Sequence, residues 1–180
     1  MSTPQPPQPA KLVIGVFMKN KSLLAPIAEE LSGCFGAADM MSRWLPFDYT
    51  SYYEAEMGNP LFRRVLTFKT LIEQEQLPQI KLATNAIEQK YSADNRREVN
   101  IDPGYMLHER FVLATGKNYT HRIYIGHRVY ADLTLIYQKG DFRTLPWTYP
   151  DYADERMLVF LRQVRSKYTM DIKGAMFSDD

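Results

Sequence analysis

Two hydrophobic periods alternate along the first hundred residues, and their order limits the fold more than any other feature. Residues 11–18, KLVIGVFM, are short and almost continuously apolar, as in a central strand covered on both faces. Leu24, Ile27, Ala28, Leu31, Cys34 and Phe35 then repeat at helical spacing, with Ser22 placed to cap the start and Gly36 the end. Cys34 lies on that stripe with no basic neighbour in sequence, so a buried, inert thiol is expected. Residues 40–45 read as a strand stopped by Pro46. Residues 47–58 hold a short helix that Thr50 or Ser51 could cap and Gly58 closes, and residues 64–72 alternate as a strand. Residues 77–91 are helical, with Pro78 in the first turn and Ile80, Thr84, Ile87 and Tyr91 on one stripe. Residues 97–101 form a strand that the turn signal Asp102-Pro103-Gly104 should end. The order βαββαβ predicts an α+β fold with a ferredoxin-like core.

Beyond that core, residues 105–114 fit a helix through Leu107, Phe111 and Ala114. Residues 121–137, HRIYIGHRVYADLTLIY, read as a β-hairpin in one of two registers. A two-residue Gly126-His127 turn sets His121 opposite Asp132. A three-residue loop, Gly126-His127-Arg128, pairs Ile125 with Val129, Tyr124 with Tyr130, Ile123 with Ala131 and Arg122 with Asp132. The second register keeps one face apolar, from Ile123 through Leu133 and Leu135, and is preferred because a one-residue slip would turn that face to water. It puts His121 on the apolar face, partly buried. An exposed Arg122–Asp132 pair would contribute only ~0.2–1 kcal/mol, so Asp132→Asn should barely matter. Met157, Phe160, Leu161, Val164 and Tyr168 mark a closing amphipathic helix.

A chain of 180 residues is sized for one domain. The expected division is a Pro-rich, disordered tail at 1–10, a single domain at 11–170 and a frayed end at 171–180. A formal charge of +1 gives no bulk indication of nucleic-acid binding. No signal peptide and no apolar run near the ~20 residues of a membrane span are present, so a cytoplasmic protein without membrane attachment is expected. One Cys cannot form an internal disulfide. The three histidines, His108, His121 and His127, show no ligand spacing for a metal and no paired H-x-[ST] motif. No G-x-S-x-G and no G-x4-G-K-[ST] occurs; Gly116-Lys117 is preceded by Phe111 where a P-loop needs glycine. No cofactor is expected, and oligomeric state is left open.

Three stretches carry candidate chemistry. Leu45-Pro46-Phe47-Asp48-Tyr49 and Leu145-Pro146-Trp147-Thr148-Tyr149 share the frame Leu-Pro-aromatic-x-Tyr and continue into Tyr53 and Asp151. Rings with a few convergent polar groups are the lining of small-molecule pockets, although such loops also simply cap cores. Lys117-Asn118-Tyr119-Thr120-His121-Arg122 groups donors suited to a phosphate or carboxylate, unless Arg122 is spent on Asp132. The candidate ligand-binding residues are therefore Asp48, Tyr49, Tyr53, Lys117, His121, Arg122, Trp147, Tyr149 and Asp151. The segment 100–104 reads as a structural turn.

KLVIGVF at 11–17, LPFDYTSYYEAEMG at 45–58, IKLATNAIE at 80–88, VNIDPGY at 99–105, FVLATGKNYTHRIYIG at 111–126, YADLTLIY at 130–137 and LPWTYPDY at 145–152 together resemble an uncharacterised bacterial family, the domain of unknown function 4416. The resemblance implies membership over roughly 11–168 and brings no activity, ligand or catalytic residue with it. Some relatives carry a GTP-binding label, which the missing P-loop and the missing Asn-Lys-x-Asp do not support. The leading expectation is a small anionic or nucleotide-like ligand held in an aromatic-walled cleft without catalysis. The alternatives are an acid–base enzyme using His121 with Asp48, Asp102 or Asp151, and a nucleic-acid or protein adaptor stacking on tyrosine-rich loops.

Overall fold

A computed structural model describes residues 1–93 and 96–176. Strand β1 (Ala10–Met18) is central and wholly buried, which is why its sequence does not alternate. On one side it pairs with β4 (Phe62–Ile72), and β4 pairs in turn with β2 (Ala38–Met41) and the short β3 (Leu45–Pro46). On the other side lie β7 (Val99–Met106), β8 (Arg110–Thr115) and β10 (Val129–Gln138). The outer edge of β10 is shared: β9 (Arg122–Gly126) pairs with its first residues and β11 (Asp141–Thr144) with its last. All these pairs are antiparallel. β5 (Ser92–Ala93) and β6 (Arg96–Arg97) form a separate small ribbon.

Helices cover both faces, so the protein is α+β as its patterning predicts. Leu12, Ile14 and Val16 pack with α1 (Leu24–Phe35) and α3 (Leu77–Lys90), through Ile27, Leu31, Leu77, Ile80 and Ile87. Val13, Val65, Phe111 and Leu113 face the other way, under Met157, Leu161 and Val164 of α5 (Glu155–Met176). α5 also closes a buried ionic cluster: Lys11, fully buried, donates to Asp39 and, at 2.7 Å, to Asp171. Ile172 continues its buried stripe. The helix therefore runs past residue 170, where fraying was expected; residues 177–180 lie outside the described part. Residue 10 belongs to β1 rather than the tail, and the Pro9 carbonyl accepts from the Tyr168 hydroxyl at 2.7 Å.

Several expectations are corrected. Residues 105–114 are not a helix: they end β7, turn at 107–109 and start β8, because Phe111 and Leu113 serve one core and Val112 and Ala114 the other. Asp102-Pro103-Gly104 is not a turn but the middle of β7, paired with Gly15, Ile14 and Val13. A Cβ on Gly104 would sit 2.4 Å from the Val112 carbonyl oxygen, so this glycine serves close strand approach rather than chain reversal. Asn20, not Ser22, caps the first turn, its Oδ1 accepting from the Ser22 amide at 3.1 Å. Cys34 is exposed, since α1 ends over an open groove lined by Phe35, Leu71, Ile72 and Ile80 instead of over packed chain.

The hairpin turn is neither of the two considered. His127 and Arg128, at φ 52° and 62°, make a two-residue turn closed by Gly126 and Val129, and a bulge follows. From there the preferred register holds: Tyr124 opposes Tyr130, Ile123 opposes Ala131 and Arg122 opposes Asp132. The apolar face does not continue as expected. A second bulge between Leu133 and Leu135 turns Leu133 toward the α1/α3 core and Leu135 toward the α5 core, while Ile123, on the edge strand β9, is 71% exposed.

Two measurements test this architecture. Gly104→Ala should lower the urea midpoint by the equivalent of ~2 kcal/mol or more, as an overpacked strand contact does; an unchanged midpoint would contradict the close approach of β7 to β8. Cys34 in the folded protein should react with a thiol reagent as fast as it does in urea, whereas strong protection would restore the buried assignment.

Candidate functional site

The site begins where two strands part. β7 pairs with β8 only from Gly104 onward, opposite Leu113. The backbone of Ile101 points to the β8 side, and strand alternation sends residue 103 to that same edge. Pro103 has no N–H to offer there, so the ladder stops. The freed edge is filled from α3: Lys81 Nζ donates to the Ile101 carbonyl at 3.0 Å, and the Ile101 amide donates to Glu88 at 2.5 Å. Both side chains are buried, on one α-helical stripe at i and i+7. Burial raises the Glu88 carboxyl above its ordinary range, against the opposing pull of Lys81.

Between the parted strands opens a cleft of about 990 Å³. One wall is β7 with Asn100 and Asp102, and the other is the end of β8 with Ala114, Thr115, Gly116 and Lys117. The first proline-aromatic loop leads into α2 (Glu54–Met57) and contributes Phe47, Tyr49, Tyr52 and Tyr53. Phe47 stacks on Phe17 at 4.3 Å, with Tyr53 edge-on to Phe17 at 4.9 Å, which anchors the loop in the core. Glu56 of α2 holds Arg97 through two bonds of 2.6 and 2.8 Å, and Arg97 donates to Asn100 Oδ1 at 2.8 Å.

The second loop supplies Tyr149, Pro150, Asp151 and Tyr152, the last three opening α4 (Pro150–Ala153). It is fastened to the bulge in β10, where the Leu133 carbonyl accepts from Trp147 Nε1 at 2.8 Å and the Thr134 carbonyl from Thr148 Oγ1 at 2.6 Å. These bonds fall in the gap that β9 and β11 leave on that edge. Beneath the loop, buried Arg63 is ion-paired with Asp151, and its guanidinium lies 4.6 Å from the Phe47 ring centre and 5.0 Å from that of Tyr152. Burial pushes the phenols of Tyr53 and Tyr152 up to about 12, so both remain neutral hydroxyls at any ordinary pH.

Of the candidate residues, Tyr49, Tyr53, Lys117, Tyr149 and Asp151 line this cleft and Asp48, His121, Arg122 and Trp147 do not. Asp48 is exposed. Tyr49 donates to Asp154 at 2.6 Å, and Asp154 is held well below the carboxylate range by Arg156. Lys117 lies 3.2 Å from the Tyr52 hydroxyl, joining the third candidate segment to the first loop.

His121 and Arg122 form a layer behind the wall, both on Asp132, which is 1% exposed: Arg122 Nε donates to Oδ2 at 2.9 Å and His121 Nε2 is 3.1 Å from the same oxygen. His121 precedes β9, so strand alternation does not bind it, and it meets Asp132 despite the register that was expected to separate them. Trp147 stacks on its other side at 4.8 Å. Arg122 reaches back to the cleft through the Tyr149 hydroxyl, 2.5 Å away. The Arg122–Asp132 pair is thus buried rather than solvated, which overturns the expectation for Asp132→Asn.

Arg63, Lys81, Glu88, Arg97 and Asn100 were absent from the candidate set, and Asp102 entered only as a possible acid–base partner of His121. The available signal was polar residues at buried phases: Lys81 and Glu88 on an apolar helix stripe, and Asn100 and Asp102 alternating with Val99 and Ile101. Among the described residues no cluster of His, Cys, Asp and Glu could hold a metal ion, and no helix is long and apolar enough to cross a membrane.

The model of the family described as Domain of unknown function (DUF4416) matches residues 8–168, and the chain belongs to that family. No curated protein and no solved structure matches the chain.

Asp132→Asn should now destabilise by roughly 3–5 kcal/mol, because it leaves buried Arg122 without its counter-charge. Urea unfolding measures this; a loss below ~1 kcal/mol would mean that the triad is solvated.

Proposed function

We propose that this member of the DUF4416 family binds a small nucleotide-like ligand in the cleft between β7 and β8, without catalysis of its own. The observation that carries the reading is convergence: both proline-aromatic loops and Lys117 meet at one cleft of about 990 Å³. Concave sites of this size, walled by rings and set with a few polar groups, suit a ligand with a stacking moiety and a polar end. Tyr52, Tyr53 and Tyr149 are the rings available to stack, and Lys117 is the cation available to an anionic group.

The charge balance argues against a ligand that is simply anionic. Arg63, Lys81, Arg97 and Lys117 face Glu88, Asp102, Asp132 and Asp151, so the cleft as a whole is close to neutral. An acid–base enzyme would need a titrating group in contact with substrate. His121 meets Asp132, rather than Asp48, Asp102 or Asp151, and does so behind the wall. The exposed Tyr52, Tyr119 and Tyr124 are what an adaptor would use, and they are not gathered by the cleft into one surface. The order β7-β1-β4-β2, with α1 and α3 on one face, supports reading the core as ferredoxin-like.

A thermal-shift screen over nucleotides, phosphosugars and metal ions tests the reading. A ligand at 100 times its Kd should add ~2.7 kcal/mol, or roughly 5–10 °C for a domain of this size. No shift with any nucleotide or phosphosugar at millimolar concentration would sink it.

A further inference from the structure

Most charges in the cleft are already committed to one another. Arg63 is paired with Asp151, Lys81 with the Ile101 carbonyl, Glu88 with the Ile101 amide and Arg97 with Glu56. Asp132 takes His121 and Arg122. Two groups are left over. Asp102 receives no hydrogen bond among the described residues; its nearest cations, Arg63 and Lys81, are both 3.8 Å away. Its side chain is 29% exposed, toward the cleft that it lines. Lys117 meets no carboxylate among the described residues, only the hydroxyl and ring face of Tyr52, at 3.2 and 4.6 Å.

We propose that these two groups give the cleft a polarity: Asp102 accepts from neutral hydrogen-bond donors of the ligand, and Lys117 holds its anionic end. This rests on the binding reading above and specifies its ligand class as a nucleoside 5′-phosphate. Two cations already flank Asp102, so its charge is largely compensated. A neutral donor such as a ribose hydroxyl or a base N–H fits there better than a third cation, which the other two would repel. Asp102 lies two residues from the apex of the fork at Gly104, on one arm. Lys117 lies four residues beyond Leu113 on the other arm, just past the end of β8, and so farther along its arm from the apex than Asp102 is along its own. That offset separates the donor end of a nucleoside from its phosphate. Tyr52, Tyr53 and Tyr149 line the same cleft and offer aromatic faces for the base.

Isothermal titration of the four ribonucleoside 5′-monophosphates and their nucleosides provides the test, on the wild type, Lys117→Ala and Asp102→Asn. At least one monophosphate should bind the wild type about tenfold more tightly than its nucleoside, the scale of one charge-assisted bond. Lys117→Ala should remove that preference, so that the monophosphate and its nucleoside bind the variant equally. Asp102→Asn should weaken nucleotide and nucleoside by the same factor, again about tenfold, and Asp102→Ser serves if the Asn variant does not fold. A phosphate preference that survives Lys117→Ala, or affinities untouched by both Asp102 variants, would overturn the polarity while leaving the cleft a binding site. Failure of all eight compounds to bind the wild type would overturn the binding reading together with it.

Discussion

A buried strand edge must satisfy its backbone, and the arrangement of this molecule follows from how one edge does so. Pro103 ends the ladder between β7 and β8 because it has no proton to give on that side. The amide and carbonyl of Ile101 would otherwise be orphaned in the interior, at a cost of about 1–3 kcal/mol each. Glu88 and Lys81 stand in for the missing strand. The substitution lets β8 and β10 diverge from the rest of the sheet without leaving broken hydrogen bonds behind. The space they leave is the cleft.

The same logic recurs wherever the sheet is interrupted. The bulge in β10 frees the carbonyls of Leu133 and Thr134, and the second proline-aromatic loop is held by donating to both. Asp171 of α5 completes the pairing of Lys11, which sits in a central strand with no exposure to water. Buried ion pairs of this kind contribute little net stability, but removing one partner is costly, so they fix one arrangement against its alternatives. Here they fix where α5 lies and how the loops meet over β7.

Such pairing also decides what the cleft offers a ligand. Arg63 and Arg97 are cations by residue type, yet Asp151 and Glu56 occupy them. His121 is likewise occupied, between Asp132 and Trp147. What remains for recognition is rings, one lightly held carboxylate and one lysine. Membership of DUF4416 adds no chemistry to this inventory, so the functional argument stands on the groups themselves.

Much of the architecture was legible in the sequence because it rests on local periodicity. The continuous apolar run of β1, the stripes of α1, α3 and α5 and the alternation of β4 each follow from which faces a single element buries. The two Leu-Pro-aromatic loops were visible for the same reason, as repeated local patterns. Asp102-Pro103-Gly104 has the composition of a turn, and only the neighbours Gly15 and Val112 make it a strand that must leave its partner. Cys34 has helical phase for burial, but what lies beneath the end of α1 is set by α3 and β4. His121 meets Asp132 because it sits just outside β9, a boundary that no pairing rule for the strand itself can supply. Periodicity states which side of an element turns inward. Which charged groups then find one another there depends on elements far apart in the chain, such as Arg63 with Asp151 and Lys81 with Ile101, and that was decided only when the sheet closed.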